Sequence, residues 1–135
     1  PIFFGVDGMD GILGVEGFDT ALAEGVMLLT PFSADASDEA TKSFVAKFQE
    51  KTGIVPNQFA ADAYDVIYAI AQACEKGGVT ADMSASEINA ILVEQFTSMT
   101  FDGLTGKGMT WDESGMISKL PAAVVINNGV YVPME

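Results

Sequence analysis

The sequence contains no histidine and no arginine, and it has a single cysteine, Cys74. Each absence removes a class of chemistry. Histidine is the commonest general base and metal ligand near neutral pH, so neither a Ser-His-Asp nor a Cys-His nucleophile system can be built within this chain. With one cysteine there is no internal disulfide and no thiolate zinc site. Cys74 lies among apolar residues of a helical pattern and reads as a small buried hydrophobe. The only cations are six lysines against nineteen acidic residues, for a net charge of −13. Gripping phosphates takes clustered lysine or arginine, which excludes nucleic acid and disfavours anionic membrane surfaces as partners. No apolar run reaches the ~18 residues that a membrane-spanning helix needs.

What the sequence does have is core-forming material. Of its 135 residues 49% are apolar, and a chain of this length buries about two-thirds of the surface its unfolded form exposes. Disorder is excluded on that composition. The surplus of carboxylates has a plain reading, since it keeps a secreted protein soluble and monomeric without implying a cationic substrate. The chain opens on Pro1-Ile2-Phe3-Phe4-Gly5, with no initiator Met. It reads as if it began in the middle of a strand, which leaves room for a targeting segment upstream.

Ile2–Val6 is a continuous apolar run ending in a Gly/Asp cluster, the pattern of a short buried strand. Asp7-Gly8-Met9-Asp10-Gly11 follows as a tight loop. Over residues 12–24, Phe18, Ala21 and Leu22 suit a helical face while Gly14 and Gly17 weaken it. Val26–Leu29 is a second buried strand, broken by Thr30-Pro31-Phe32. Three helices come next. The first spans Ser37 to Thr52, with Ser37 as N-cap, Phe44, Val45 and Phe48 as its core stripe, and Gly53 as its stop. The second spans Asn57 to Lys76, opened by Pro56 and closed by Gly77-Gly78. Its apolar face carries Phe59, Ala63, Val66, Ile67, Ile70 and Cys74 at helical period. The third begins at Ser84, with Glu87 completing a capping box and Ile88, Ile91, Leu92 and Phe96 on the buried side. In the tail, Ala122–Ile126 and Val130–Val132 flank Asn127-Asn128-Gly129, a hairpin signal in which Asn and Gly accept the positive φ of a type I′ turn. Three consecutive helices with no strand between them do not make a doubly wound sheet by themselves. Something else is expected to supply the sheet that they cover.

Four motifs in order resemble one family, the branched-chain amino-acid-binding proteins (leucine/isoleucine/valine-binding type) of ABC importers. They are Gly5-Val6-Asp7-Gly8 after a strand; Ala23-Glu24-Gly25-Val26 followed by Thr30-Pro31-Phe32; Pro56-Asn57-Gln58-Phe59-Ala60-Ala61-Asp62-Ala63-Tyr64-Asp65; and Phe101-Asp102-Gly103-Leu104-Thr105-Gly106 with Trp111-Asp112-Glu113-Ser114-Gly115. The resemblance implies an α/β protein, part of a two-lobed type I periplasmic-binding-protein fold: a parallel sheet flanked by helices, incomplete here and open to rearrangement or swapping. It implies that residues 1–29 belong to the C-terminal lobe and 30–36 to a crossover. Residues 37–110, with the three helices, would belong to the N-terminal lobe, and 111–135 would form the return crossover and terminal hairpin of the C-terminal lobe. The N-terminal half of the family pattern, with the Ser/Thr residues that grip a ligand carboxylate, is not in this sequence.

The resemblance also implies a function. The chain would serve as the extracytoplasmic solute-binding component of an importer for amino acids, branched-chain or related aliphatic, and not as an enzyme. No cofactor and no metal are implied. Its partners would be a small-molecule amino acid and the membrane permease, with a homo-oligomer of the fragment as a further expectation. The same fold also serves as a ligand-sensing ectodomain of a signalling receptor, and that alternative stays open. The ligand-binding candidates are Asp7, Gly8 and Phe59. Asp7 sits just past a strand's carboxyl end, where open α/β sheets place their sites, and Gly5 and Gly8 permit close backbone approach. In the family the matching carboxylate pairs with the ligand's α-ammonium group. The alternative is that Asp7 only caps its turn. Phe59 matches a family aromatic near the ligand, and its alternative is core packing. Tyr64 and Tyr68, four apart, fit packing better than recognition, and Met9 is a further candidate for the pocket border. Asp7 and Asp10 as a calcium pair fail the EF-hand pattern, which has an oxygen ligand where Met9 stands and a glutamate where Phe18 stands.

Overall fold

The computed structural model of the chain describes residues 1–134. Two units divide it: Pro1–Ala61 together with the chain from Leu120 onward, and Asp62–Lys119.

The first unit is built on a four-stranded mixed sheet in the order β1 (Phe4–Gly5), β2 (Met27–Thr30), β3 (Ala122–Asn127), β4 (Val130–Pro133). β1 and β2 are parallel, with Gly5 opposite Leu28. β2 and β3 run antiparallel with Leu28 opposite Val124, and β3 and β4 form the expected hairpin. Asn127 pairs with Val130, leaving Asn128 (φ 53°) and Gly129 (φ 73°) as the turn, both in the left-handed region that a two-residue primed turn demands. The Glu24 carboxylate accepts the Asn128 N–H from both oxygens, at 2.9 and 3.1 Å, and so ties the hairpin tip to the segment before β2. Ala23, Val26, Leu28, Val124 and Ile126 form the core on this sheet, with Met9, Ile12, Leu13, Phe18 and Tyr131 packed around them.

Two expectations change here. The strand expected over Ile2–Val6 shortens to Phe4–Gly5, and Ile2, Phe3, Phe4 and Val6 are exposed rather than buried. β1 is the edge strand, hydrogen-bonded on one side only, so an apolar run does not guarantee burial. Residues 12–24 resolve into two single 3₁₀ turns, Ile12–Gly14 and Thr20–Ala23, the second capped by Asp19 accepting from Ala21 N at 3.0 Å.

Helix α1 (Glu39–Thr52) follows in the first unit and ends at Gly53 in the left-handed conformation (φ 77°). Its N-cap is Asp38, not Ser37: the Asp38 carboxylate accepts the Thr41 N–H at 3.0 Å. Phe44 is buried against Phe32 in an edge-on ring contact, 5.9 Å between centroids, and Phe48 packs on Phe44 in turn.

Helix α2 (Gln58–Gly77) begins in the first unit and continues into the second. Asn57 caps it by accepting from Ala60 N at 3.2 Å. The buried positions are Gln58, Ala61, Asp65, Ala69 and Ala73, a stripe of small and polar residues at helical spacing. The apolar face read from the sequence lies on the other side, where Phe59, Ala63, Val66, Ile67 and Ile70 are exposed and Cys74 is half-buried. In the second unit Ala69 and Ala73 pack with Met99, Phe101 and Met109, backed by Leu92, Phe96 and Trp111. Helix α3 (Ala85–Phe96) has the expected capping box, with Glu87 N donating to Ser84 Oγ and Ser84 N donating to Glu87 at 2.9 Å. Gly77 faces Ile91 so closely that any Cβ there would collide with it.

Candidate functional site

Because β1 and β2 are parallel, their following loops leave from the same end of the sheet. The loop after β1 folds into a single 3₁₀ turn, Asp7–Met9, closed by Met9 N donating to Val6 O at 3.0 Å and Asp10 N donating to Asp7 O at 2.9 Å. Gly5 makes this possible: a Cβ at that position would strike the Met9 thioether and sit 2.6 Å from Leu28. Met9, partly buried, therefore packs against the core of the sheet.

The two aspartates of this loop have different surroundings. Asp7 is exposed, and its carboxylate accepts the N–H of Gly8 at 2.9 Å. Asp10 is half-buried. One of its oxygens accepts from Gly11 N at 2.9 Å and the other from Gln58 N at 2.5 Å. The second bond places a carboxylate at the amino end of α2, where the first backbone N–H groups lack helical partners and the helix dipole favours negative charge. Gly11 N also lies 3.2 Å from the Tyr131 hydroxyl. The Tyr131 phenol is held above the usual tyrosine range, first by burial and then by the Asp10 charge. Asp10 is thus a helix cap, which answers the pairing of Asp7 and Asp10 considered from sequence. Among the described residues no group of three or more His, Cys, Asp or Glu could hold a metal ion.

Gln58 joins the loop to α2. It is 1% exposed, and its Nε2 donates to Asp7 O at 3.0 Å. A carbonyl can only accept, so this contact fixes which end of the amide is nitrogen. The Oε1 then faces the Thr30 hydroxyl at 3.0 Å. Thr30, at the end of β2, is equally buried. Its hydroxyl lies 2.9 Å from Phe32 O and accepts from Phe32 N at 3.2 Å. One hydroxyl carries one hydrogen, so Gln58 Oε1 and Phe32 O compete for it.

Of the sequence candidates, Asp7 and Gly8 share the loop, and Phe59 follows the residue that binds that loop. Phe59 is 49% exposed and is not a core residue of the first unit. Gly8 has nothing within 4 Å of the position a Cβ would take, so no packing within the protein requires glycine there. Tyr64 and Tyr68 stack on each other in the second unit, with centroids 4.5 Å apart, a packed pair on the helix surface. The residues that sequence reasoning passed over are Gln58, Thr30 and Asp10 in its capping role. The Pro56-Asn57-Gln58 opening marked a helix start, but nothing local announces an acceptor 48 positions earlier.

Residues 6–129 match the family described as periplasmic binding protein. Among solved structures, a leucine binding protein from Thermotoga maritima is 24% identical over 98% of this chain and 36% of its own, with a TM-score of 0.71. A branched-chain amino acid transporter substrate binding protein from Streptococcus pneumoniae, in complex with isoleucine, is 24% identical over 97% of this chain and 37% of its own, at 0.72. An ABC transporter solute binding protein from Rhodopseudomonas palustris, in complex with 3,4-dihydroxybenzoic acid, is 24% identical over 97% of this chain and 35% of its own, at 0.75. At these identities the likeness is one of fold, and the chain spans little more than a third of the length of the structures it matches. No curated protein matches the sequence.

Proposed function

The chain belongs to the periplasmic binding protein family, and from that premise we propose that it supplies one wall of the amino-acid site in the solute-binding component of an ABC importer. The family and the neighbouring structures are substrate-binding proteins, not enzymes. The ligand in this reading is a branched-chain or related aliphatic amino acid. The observation that carries it is the exposed Asp7 carboxylate at the carboxyl end of a parallel strand, its loop held by hydrogen bond against the first turn of α2, where Phe59 presents an open ring.

Asp7 supplies the ionised partner that an α-ammonium group needs on leaving water. Gly8 leaves the backbone open to close approach, and Phe59 offers apolar surface to an aliphatic side chain. The bound neighbours divide between an amino acid and an aromatic acid. A negatively charged Asp7 separates these classes: it attracts an ammonium group and repels a benzoate, which carries only an anion. The lobe division is part of this proposal, with residues 1–29 and 111–135 in one lobe and 37–110 in the other, so that the Gln58 bonds to Asp7 and Asp10 join the two lobes in the closed form. Closure about the crossover at 30–36 traps the ligand, which favours the closed form by its contacts with both lobes. Such a protein works outside the cytoplasm and hands its ligand to a membrane permease.

The test is calorimetric titration of the full-length protein with leucine, isoleucine, valine, alanine and 3,4-dihydroxybenzoate. Binding of an aliphatic amino acid in preference to the aromatic acid is expected. Binding of none of the amino acids sinks the reading.

A further inference from the structure

We infer that Gln58 is a positioning residue for amino-acid recognition: through Asp7 O it sets where the Asp7 carboxylate stands. The inference deepens the proposed site and rests on Asp7 being the ammonium partner. Asp7 is exposed, and among the described residues its carboxylate accepts from the adjacent Gly8 N–H, a bond that does not fix the loop in space. What fixes it comes from α2. Gln58 Nε2 holds the Asp7 carbonyl at 3.0 Å, and Gln58 N holds Asp10 three residues on, at 2.5 Å. The turn that carries Asp7 is therefore pinned at its first residue by a side chain and at its end by a backbone group of the same glutamine.

Gln58 is itself anchored. Its other amide atom faces Thr30 at the end of β2, and both residues are buried to 1% exposure. A buried amide that lost either partner would be left with an unsatisfied group, so the side chain is held in one orientation. With the Thr30 hydroxyl turned to Gln58 Oε1 rather than to Phe32 O, Asp7, Gln58 and Thr30 form a line of hydrogen bonds from the exposed loop to the strand from which the crossover departs. Asparagine is one methylene short, and glutamate cannot donate to Asp7 O.

The experiment uses the full-length protein carrying Gln58→Met or Gln58→Glu. Methionine keeps length and apolar packing and removes both side-chain bonds; glutamate keeps an acceptor for Thr30, removes the donor to Asp7 and adds a buried negative charge beside Asp7 O and Asp10, so methionine is the cleaner of the two. Both leave the backbone bond to Asp10. Leucine and 4-methylpentanoate, the same skeleton without the ammonium group, are titrated in parallel by calorimetry. Amide hydrogen exchange is followed in a peptide covering residues 7–11 and in a reference peptide around Asp65. Expected are a Kd for leucine raised about tenfold, the size of one lost buried hydrogen bond, and a preference for leucine over 4-methylpentanoate that shrinks by a similar factor. Exchange should quicken at residues 7–11 and stay unchanged in the reference.

Several results overturn the inference. One is a leucine Kd within twofold of the parent in both variants. Another is an equal weakening of both ligands, which marks a structural role that does not act through the ammonium partner. If one variant fails to fold, the other decides on the same readouts. If the parent protein binds no amino acid, the proposed site falls, and the exchange arm still decides the positioning claim. Faster exchange confined to residues 7–11 then supports it, and unchanged exchange overturns it.

Discussion

Asp65 and Thr105, forty residues apart, are joined twice: the Thr105 N–H donates to Asp65 Oδ2 at 2.9 Å, and the Thr105 hydroxyl donates to the same oxygen at 2.7 Å. Leu104 N donates to the other carboxylate oxygen at 2.8 Å, and a Cβ on Gly103 would run into the carboxylate. A buried carboxylate with three donors is a stable arrangement that tolerates the loss of neither side.

Replacing Asp65 with alanine strands three donors and is expected to destabilise the chain by about 3 kcal/mol. Asp65→Asn would turn an amide N–H₂ toward donors and cost about 1–3 kcal/mol. Gly103→Ala should destabilise by the steric route without touching a donor. Urea denaturation measures all three, and a change below about 0.5 kcal/mol in Asp65→Ala would remove this contact from the second unit's supports.

Asp7→Ala in the full-length protein should weaken leucine binding by about a hundredfold or more, as expected for loss of a desolvated charged partner. Its melting temperature should stay near that of the parent, because Asp7 is exposed. Gly8→Val sharpens the point. No described residue other than its chain neighbours lies within 4 Å of the position a Cβ would take at Gly8, so stability should hold while affinity falls. Unchanged affinity in both variants would place the ligand elsewhere.

The two faces of α2 should respond oppositely to substitution in the 135-residue chain. Ala73 is fully buried beside Met99 and Phe101, and Ala73→Leu is expected to cost about 1–3 kcal/mol by overpacking. Ile67 is 65% exposed, and Ile67→Lys should change stability by no more than about 0.5 kcal/mol. Thermal melts that reverse this order would show that the apolar face is covered after all.

The capping box of α3 gives a pH dependence with a definite sign. The Glu87 carboxyl is held below its ordinary value, first by the Ser84 hydroxyl and then by the Ser84 N–H. A depressed carboxyl contributes stability that is present above the unfolded-state value, about 4.3, and is lost as the pH falls through the folded value. Glu87→Gln should therefore lower the melting temperature near neutral pH and make little difference at the acid end. A difference that persists unchanged into acid would show that the charge of Glu87 plays no part.

Much of this architecture was legible in sequence, and the residues show why. The capping box at Ser84 and Glu87, the Gly53 stop and the Asn128-Gly129 turn each depend on groups within a few residues of one another, so local chemistry determined them. The tight loop after the first strand was determined in the same way. Tertiary structure decided what local chemistry cannot reach. It decided which side of α2 is buried, because period alone marks a stripe and says nothing of what packs against it. Ala69 and Ala73 face the core there, while Val66 and Ile67 face outward. It also decided that Ile2, Phe3 and Phe4 lie exposed at the sheet's edge, since burial depends on a neighbour that no strand pattern can supply. And it alone brought Gln58 to Asp7, Asp10 and Thr30. A hydrogen bond across 48 residues exists only once the chain has folded, and it leaves no periodic trace in the sequence.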